Sequence, residues 1–414
     1  MRKDDIFTGL DIGSTTIRVV IAQVGTHGQE GLHIIGAAEN PSEGISKGNI
    51  VSIEDAVTSI SQTFEKAERM TGIPIEHAFV SINGHHITCQ DSHGVVAVAK
   101  ADGEIQEEDI QRVIEAAQTV SSPPNYEILH VLPRNFSVDN QKHIKDPVGM
   151  TGIKLEVDAQ IILGLSSQIK NLTKCIYRTG VDIDDLVMSV LACSESTLTK
   201  RQKELGVGLV NLGGTTTSIM IFEEGDVLHT KVLPIGAGHI TNDIAIGLRT
   251  SIDIAEQVKL RFGSAIAEKV QKRETIDLGT IDSNENAVIP RKEVIDIIEA
   301  RVEEIFHLVN KELRDIKRDG LLPAGVVLTG GGAKLPDLIE AAKKQFRLPA
   351  SLGVPRDLPT AIDKIQDPAF TTATGLVRWG MQYQAREKGF RLNKLSSFSH
   401  ATEKMQRWFR SLLP

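Results

Sequence analysis

Two short segments of the chain combine glycine with hydroxyl side chains in the same way. Glycine lets a backbone approach a ligand closely, and successive backbone N–H groups in a tight turn form a concave site for anions. Ser and Thr hydroxyls add further donors. We call the segments loop one and loop two and predict that they grip a triphosphate from opposite sides. Their residues are Gly13, Ser14, Thr15 and Thr16 in loop one, and Gly213, Gly214, Thr215 and Thr216 in loop two.

An acidic residue, Asp11, lies just ahead of loop one. Mg²⁺ prefers oxygen ligands and keeps several of its waters when it is bound with substrate phosphates. A carboxylate at this position can hold the ion through its water shell. The sequence therefore predicts that Asp11 is a magnesium-side residue of a nucleotide site.

Two further glycine-rich segments could complete such a site. Gly330, Gly331 and Gly332 follow a short apolar strand and precede a helix, so their backbone can be presented to a base or a phosphate. Gly236 and Gly238 lead into a helix predicted over residues 241–248 and could close over phosphate or ribose. An ordinary strand-to-helix turn explains this second segment about equally well.

Loop one and loop two lie within longer segments that match almost position by position, DIGSTTIRVVI and NLGGTTTSIMIF. Each consists of an apolar strand, the loop and a second β-branched or apolar strand. This is an internal duplication, so we predict an α/β fold of two similar halves around a shared cleft. Residues 84–163 differ from both copies and combine short strands with one helix, which indicates a small inserted α+β unit.

Helical spacing of apolar residues predicts the helices that surround these strands. Ser52 and Gly72 are typical of a helix start and a helix end. The predicted ranges are 53–71, 106–120, 241–248 and 291–316.

Composition limits the function classes. The chain has 414 residues, which is too many for one core. Only 4% of them are aromatic, so Val, Ile, Leu and Ala must build the core, a mix that suits parallel sheets buried on both faces. The formal net charge of −8 argues against general nucleic-acid binding. Cys89, Cys175 and Cys193 are far apart and show no zinc-ligand spacing, which fits a reducing cytosol.

The last segment, residues 400–414, is predicted to form an amphipathic helix. From Arg386 to the end there are seven Lys or Arg residues against two Glu residues. A short basic helix with large apolar residues on one face suits an anionic lipid interface. A helix packed on the protein's own core is the alternative, but the polar connection expected over residues 386–399 argues against it. The predicted lipid contacts are Met405, Trp408, Phe409, Leu412 and Leu413, flanked by Lys404, Arg407 and Arg410.

The order of these elements resembles the actin superfamily, and within it the FtsA family, over essentially the whole chain. The strings that support the narrower resemblance are GHHITCQ (residues 84–90), VLHTKVLPIGAGHITNDIA (227–245), SIDIAEQVKLRFG (251–263) and AFTTATGL (369–376). The resemblance implies ATP and Mg²⁺ in the central cleft, with Glu256 at the ribose, Lys259 beside the adenine and Arg301 at a partner-binding surface. The implied subdomains are 1A (1–83 and 164–200), 1C (84–163), 2A (201–226 and 311–385, with a return to 1A) and 2B (227–310).

One position departs from the family pattern. The second loop of the family is usually preceded by Asp, where this chain has Asn211. Asn can still form hydrogen bonds, but it carries no charge for magnesium and cannot act as a base. We therefore expect nucleotide binding with slow hydrolysis at most.

The resemblance implies a filament-forming, ATP-binding membrane adaptor of bacterial division. Such a protein would bind the FtsZ C-terminal tail, itself, anionic lipids and, through subdomain 1C, later division proteins. Its place would be the cytoplasmic face of the inner membrane at the septum, as a peripheral protein. Two alternatives remain: a pilus-assembly protein of the PilM type, which lacks the lipid-binding helix, and a small-molecule kinase, for which we find no catalytic carboxylate.

Overall fold

The structure is a computed structural model that describes residues 6–25, 31–119, 123–271, 273–283 and 285–391, without the side chains of residues 385–391. The predicted amphipathic helix at residues 400–414, with all its lipid-contact residues, lies outside the described residues. So do residues 392–399 of the predicted connection.

The described elements follow one another as strands and helices typical of an α/β protein. The strands are β1 (Ile6–Ile12), β2 (Thr16–Val24), β3 (Leu32–Pro41), β4 (Ile45–Ser46), β5 (Asn49–Ile50), β6 (His77–Ile82), β7 (Thr88–Ala97), β8 (Tyr126–Val138), β9 (Gln141–Ile144), β10 (Lys154–Leu165), β11 (Asp182–Met188), β12 (Val207–Leu212), β13 (Thr217–Glu223), β14 (Asp226–Leu233), β15 (Thr275–Asp277), β16 (Val288–Pro290), β17 (Val326–Thr329) and β18 (Ala350–Leu352). The helices are α1 (Ile53–Thr71), α2 (Glu107–Gln118), α3 (Ser166–Tyr177), α4 (Ser189–Thr197), α5 (Lys200–Leu205), α6 (Ala237–Leu248), α7 (Ile252–Phe262), α8 (Arg291–Asp315), α9 (Leu338–Phe346) and α10 (Thr371–Arg391).

The two largest sheets have the same topology. The first has the order β11-β6-β1-β2-β3 and the second has the order β14-β13-β12-β17-β18. In each, an antiparallel pair (β1 with β2, β12 with β13) is extended by a third antiparallel strand on one side. Parallel strands extend it on the other side. The predicted duplication is confirmed, and each copy builds one half of the molecule.

The register of each antiparallel pair places the loop at the same end of its sheet. The β1–β2 pairing closes at Ile12 opposite Ile17, and the β12–β13 pairing closes at Leu212 opposite Thr217. Loop one and loop two therefore leave equivalent strand ends in the two halves. The strands that hold them are almost wholly buried, as expected of apolar strands covered on both faces.

One apolar core joins the two halves. It contains residues of the first sheet together with α4 and α10, and it also includes Val207, Leu209 and Met220 on the second sheet. A second core lies on the other face of the second sheet, around α6 and α8. The halves are thus packed against each other through this shared core.

The inserted segment forms a separate layer. Its sheet has the order β7-β10-β8-β9, and α2 packs on it through Ile110, Val113 and Ile114. This is the inserted α+β unit predicted from sequence. We keep residues 84–163 as its bounds, and we call it the inserted subdomain; the other subdomain bounds remain predictions as well.

Two helix predictions and the predicted connection compare differently with the structure. Helix α1 spans the predicted range, with Ser52 accepting a hydrogen bond from the Asp55 N–H and Gly72 in the left-handed conformation at its end. Helix α6 begins at Ala237, earlier than the predicted residue 241, because its first N–H groups bond to loop two. Helix α10 continues through residues 386–391, where a flexible connection was expected, since most of these residues are good helix formers.

Candidate functional site

Loop one and loop two meet across a shared cavity. The Thr215 hydroxyl donates to Ser14 Oγ at 2.9 Å, and a Cβ added at Gly214 would lie 2.5 Å from the Thr15 methyl group. The cavity encloses about 660 Å³, including space open to solvent. Its lining comprises Asp11, Ile12, Gly13, Ser14, Thr15, Thr16, Arg18, Gly48, Asn83, Ser189, Asn211, Gly213, Gly214, Thr215, Thr216, Gly330, Gly331, Ala369 and Thr372.

Most of the predicted site residues belong to this lining. The structure brings together both loops, Asp11, Asn211 and two glycines of the third segment, which are far apart in sequence. Five predicted residues are not part of the lining and contact the elements behind it: Gly236, Gly238, Glu256, Lys259 and Gly332.

Asp11 is held in one orientation at the base of loop one. Its Oδ1 accepts a hydrogen bond from the Ser81 hydroxyl at 2.8 Å, and Ser81 Oγ accepts from the Ile12 N–H at 3.0 Å. Burial raises the pKa of Asp11 above its usual value, although the Arg18 charge and the Ser81 hydrogen bond act in the opposite direction. A buried carboxylate with a fixed orientation is suited to a cation next to it.

Arg18 is a cavity residue that the sequence reasoning missed. It pairs with Asp11 across the β1–β2 register and is the only Lys or Arg among the described residues that line the cavity. Its Nε lies 3.2 Å from Glu39 Oε2, and its guanidinium lies over the Phe370 ring. Pairing β1 with β2 around loop one would have found it, since the position opposite Asp11 follows from the register.

Asn211 occupies the position in the second half that Asp11 occupies in the first. Its Nδ2 donates to Cys193 Sγ at 3.4 Å, and its Oδ1 faces Gly330. Gly330 has a φ of 86°, and an added Cβ there would lie 2.3 Å from Asn211 Oδ1, so this glycine is required by both its conformation and the contact. The third glycine segment therefore packs directly on the base of loop two.

Gly236 and Gly238 support loop two from behind. The N–H of Ala237 donates to the Gly213 carbonyl at 2.9 Å, and the N–H of Gly238 donates to the Gly214 carbonyl at 2.7 Å. Added Cβ atoms at Gly236 and Gly238 would lie 2.5 Å and 2.8 Å from these same carbonyls. The first turn of α6 thus lies directly against loop two, and a nucleotide contact by these glycines stays a prediction.

Glu256 and Lys259 form a hydrogen-bonded network on α7. Lys259 Nζ lies 2.6 Å from Glu256 Oε2 and donates to Thr241 Oγ1 on α6 at 2.7 Å. Thr241 Oγ1 also donates to Glu256 Oε2. Lys259 is buried, and its hydrogen bond to Thr241 links α7 to α6. The contacts of Lys259 with adenine and of Glu256 with the ribose remain predictions.

Asn83 is a second residue that sequence reasoning missed. It follows β6, and its Nδ2 donates to Thr216 Oγ1 at 3.1 Å while its Oδ1 accepts from Ser218 Oγ at 3.1 Å. Its amide therefore spans from the first half to loop two and to the strand that follows it. No local sequence signal marks this role, because the contact joins residues more than a hundred positions apart.

Arg301, the predicted partner-binding residue, lies on α8 and is paired within the chain. Its Nε and Nη2 contact the two carboxylate oxygens of Asp243 at 2.5 Å and 2.8 Å, and Nη1 contacts Glu304. Such bidentate pairs are geometrically specific and charge-assisted. An acidic partner group would have to compete with Asp243 for this guanidinium.

The described residues show neither a metal-binding cluster nor a membrane-spanning helix. They contain no cluster of three or more His, Cys, Asp or Glu side chains able to hold a metal. Within the same ranges, none of the helices has the length and apolar character needed to cross a membrane.

Comparison with protein-family models gives two matches. Residues 208–375 match the model for the cell division protein FtsA, and residues 84–163 match the model for the SHS2 domain inserted in FtsA. The second match has the same limits as the predicted inserted subdomain.

Solved structures agree on the fold. A PilM–PilN type IV pilus biogenesis complex matches with a TM-score of 0.67 at 14% identity, covering 92% of this chain and 99% of that chain. MreB5 of Spiroplasma citri bound to AMPPNP matches with a TM-score of 0.56 at 13% identity, covering 93% and 98%. At these identities the likeness shows the actin-like fold alone, which confirms the predicted fold class.

Sequence relatives decide between the members of that fold. The cell division protein FtsA of Pseudomonas aeruginosa is 37% identical over 408 residues, covering 97% of each chain. FtsA of Bacillus subtilis is 39% identical over 395 residues, covering 95% of this chain and 88% of its own. The pilus-assembly and kinase alternatives are therefore not retained, and the chain belongs to the FtsA family of cell division proteins.

Proposed function

We propose that this protein is an ATP-binding, filament-forming adaptor that joins the bacterial division machinery to the membrane. The observation that supports it most directly is the meeting of loop one and loop two. Equivalent strand ends of two duplicated sheets face one cavity, and Thr215 of one half is hydrogen-bonded to Ser14 of the other. A triphosphate gripped from both halves would make their relative position depend on the nucleotide.

The cavity residues match the chemistry of a nucleotide triphosphate. Backbone N–H groups and hydroxyls of both loops supply donors for phosphate oxygens, and Arg18 supplies positive charge. The Ser14–Thr215 hydrogen bond would give way to bonds with phosphate oxygens, so each hydroxyl keeps a partner. The donor set thus fits an anion with many acceptors.

Magnesium fits the same site. Bound with a nucleotide, the ion supplies positive charge to the phosphate oxygens. Asp11 would hold it through water, as a single carboxylate shared with phosphates is a usual Mg²⁺ arrangement. Ser81 fixes the orientation of the Asp11 carboxylate for this task.

Slow hydrolysis follows from the neutral residue at the base of loop two. Asn211 cannot remove a proton from water, and its Nδ2 already donates a hydrogen bond to Cys193 Sγ. Ser189 and Thr372, which also line the cavity, are hydroxyl residues and not carboxylates. We therefore propose that bound ATP is hydrolysed slowly and serves to set the relative position of the two halves, not to drive repeated cycles of work.

Membrane attachment would come from residues 400–414. Their apolar residues Trp408 and Phe409 and their flanking basic residues suit an anionic bilayer surface, at about 1 kcal/mol for each basic residue. One such helix binds weakly, but a filament presents many at once, and multivalency raises avidity by roughly 10²–10⁴. Polymerisation on ATP would thus strengthen attachment at the inner face of the cytoplasmic membrane.

The adaptor would carry its partners on two other surfaces. Arg301 and the basic residues of α8 would receive the FtsZ C-terminal tail, with Asp243 as the intramolecular partner of Arg301. The inserted subdomain would contact neighbouring subunits and later division proteins. Membership of the FtsA family supports these assignments, and with them we propose a location at the division septum.

The test is sedimentation with anionic liposomes, with and without ATP, of the full chain and of a chain ending at Ser399. Zwitterionic liposomes and the double variant Trp408→Ala/Phe409→Ala serve as controls. We expect ATP-enhanced pelleting of the full chain only, and only with anionic lipid. Equal pelleting of the full and shortened chains contradicts the membrane role.

A further inference from the structure

The strand β8 of the inserted subdomain contacts both halves of the molecule. His130 Nε2 accepts a hydrogen bond from the Met188 N–H of the first half at 2.9 Å, and its ring lies edge-on to Trp379. Further along the same strand, Arg134 reaches the second half. Its Nε donates to the Val227 carbonyl at 2.8 Å and its Nη2 to the Leu228 carbonyl at 2.7 Å.

An irregularity in β8 directs Arg134 outward to this contact. The β8–β10 register shifts between Asp158, which pairs with Asn135, and Ala159, which pairs with Pro133, so Arg134 has no residue opposite it. Such a bulge bends the strand and re-aims the extra side chain. Its guanidinium is largely buried against the second half, with Asp91 as a further ion-pair partner at 3.0 Å.

An ion pair between the inserted subdomain and the second half supports the same contact. Lys145, just after β9, pairs with Asp226 at the first residue of β14. The carbonyls of Val227 and Leu228 that Arg134 binds follow directly in β14, which is the edge strand of the second sheet. The inserted subdomain therefore covers the start of this edge strand.

The strand pair β13–β14, which we call the ribbon, connects this contact to the nucleotide cavity. It is antiparallel from Thr217 opposite Leu233 to Glu223 opposite Asp226. Arg134 binds the turn end of the ribbon, and loop two precedes its other end. There Asn83, the residue immediately before the inserted subdomain, hydrogen-bonds to Thr216 and Ser218.

We propose that two residues hold the ribbon at its two ends and so position loop two against loop one. They are Arg134 of the inserted subdomain and Asn83, the residue immediately before it, and we call this arrangement the clamp. The inference rests on the proposed nucleotide function of the cavity. Because the same strand β8 is tied to Met188 of the first half, the second half cannot change its position without breaking the Arg134 contacts or moving the inserted subdomain. A ligand on the inserted subdomain and a nucleotide in the cavity would then affect each other's binding equally.

The test compares two arginine variants of the full-length protein. Arg134→Gln removes the contacts to the second half. Arg112→Gln is the matched control, because Arg112 also donates to a backbone carbonyl, that of Ala97, but stays within the inserted subdomain. Hydrogen exchange of residues 213–233 is measured without nucleotide, and release of a fluorescent ATP analogue is measured by stopped flow.

We expect Arg134→Gln to speed exchange in the ribbon and to speed nucleotide release about fivefold to tenfold, with Arg112→Gln matching the wild type. Removing hydrogen bonds of this kind changes equilibria by about tenfold. Asn83→Ala should have a similar effect, and the double variant should add little, since both residues act on one element. A simple loss of subdomain stability would appear in both arginine variants alike.

The outcomes separate this inference from the function on which it rests. If the wild type binds no nucleotide, the proposed function fails, and the exchange experiment still tests the clamp. If Arg134→Gln and Asn83→Ala leave ribbon exchange and nucleotide release at wild-type values, the clamp is overturned. Fully additive effects in the double variant would also contradict it.

Discussion

At the scale of single residues, the site is asymmetric about its internal duplication. Asp11 and Asn211 hold equivalent positions, but only the first has a charge, and only the first is oriented by a serine hydroxyl. The sequence alone showed this difference, because the two copies align residue by residue. Arg18 could have been found from the hairpin register around loop one, whereas the role of Asn83 depends on contacts across the cleft that no sequence pattern marks.

The effect of the neutral Asn211 side chain on ATP hydrolysis can be tested by placing a carboxylate at that position. Asn211→Asp should raise ATP turnover at least about tenfold, because a carboxylate there can serve as a base, an effect that reaches 10²–10⁴ in evolved sites. Steady-state phosphate release measures this, with Asn211→Ala as the control that removes the side chain. Unchanged or lower turnover in Asn211→Asp, with nucleotide affinity intact, would count against slow hydrolysis arising from Asn211.

At the scale of elements, close backbone packing around loop two sets the first residue of a helix, which sequence patterns placed too late. Helix α6 begins at Ala237 although two of the residues around its start are glycines, which disfavour helices. The N–H groups of Ala237 and Gly238 find carbonyl partners in loop two, so a tertiary contact outweighs local propensity. The helix α1, whose signals are all local, was predicted to the residue.

The packing of α6 on loop two predicts opposite effects for two glycines of one helix. In Gly238→Ala the new Cβ would lie 2.8 Å from the Gly214 carbonyl, so loop two must shift, and we expect nucleotide affinity to fall about tenfold or more. In Gly247→Ala the new Cβ meets only the flexible end of Ile297. That variant should bind normally and gain up to about 1 kcal/mol in stability. Equal affinities by calorimetry would contradict the close packing.

At the scale of the whole molecule, the sequence predicted two duplicated halves and an insertion but not how they are joined. The duplication and the composition change over residues 84–163 are visible in the chain itself. The core that joins both halves and the contact of the inserted subdomain with the second half involve residues far apart in sequence. Such contacts have no local pattern, so only the structure shows them.

The junction of the inserted subdomain with the first half predicts a pH dependence. Burial lowers the pKa of His130 to about 3, from a usual value of 6.5. The folded state therefore binds fewer protons there than the unfolded chain, and stability is lost as pH falls below 6.5. Between pH 7 and pH 5 this group alone should cost about 2 kcal/mol.

Urea unfolding of wild type and His130→Gln at both pH values measures that cost. Glutamine stays neutral and can accept a hydrogen bond from the Met188 N–H, so the variant should lose about 2 kcal/mol less than wild type on acidification. The same loss in both proteins would show that His130 titrates normally and is not buried at this junction.

The central claim is that loop one and loop two hold a single triphosphate between the halves. A crystal structure of the protein with Mg²⁺ and a non-hydrolysable ATP analogue tests it most directly. The account predicts phosphate oxygens bonded to backbone N–H groups of both Gly13–Thr16 and Gly213–Thr216, with Asp11 on the magnesium side. Phosphates contacted by only one of the loops, or a nucleotide bound outside the cavity they share, would contradict it.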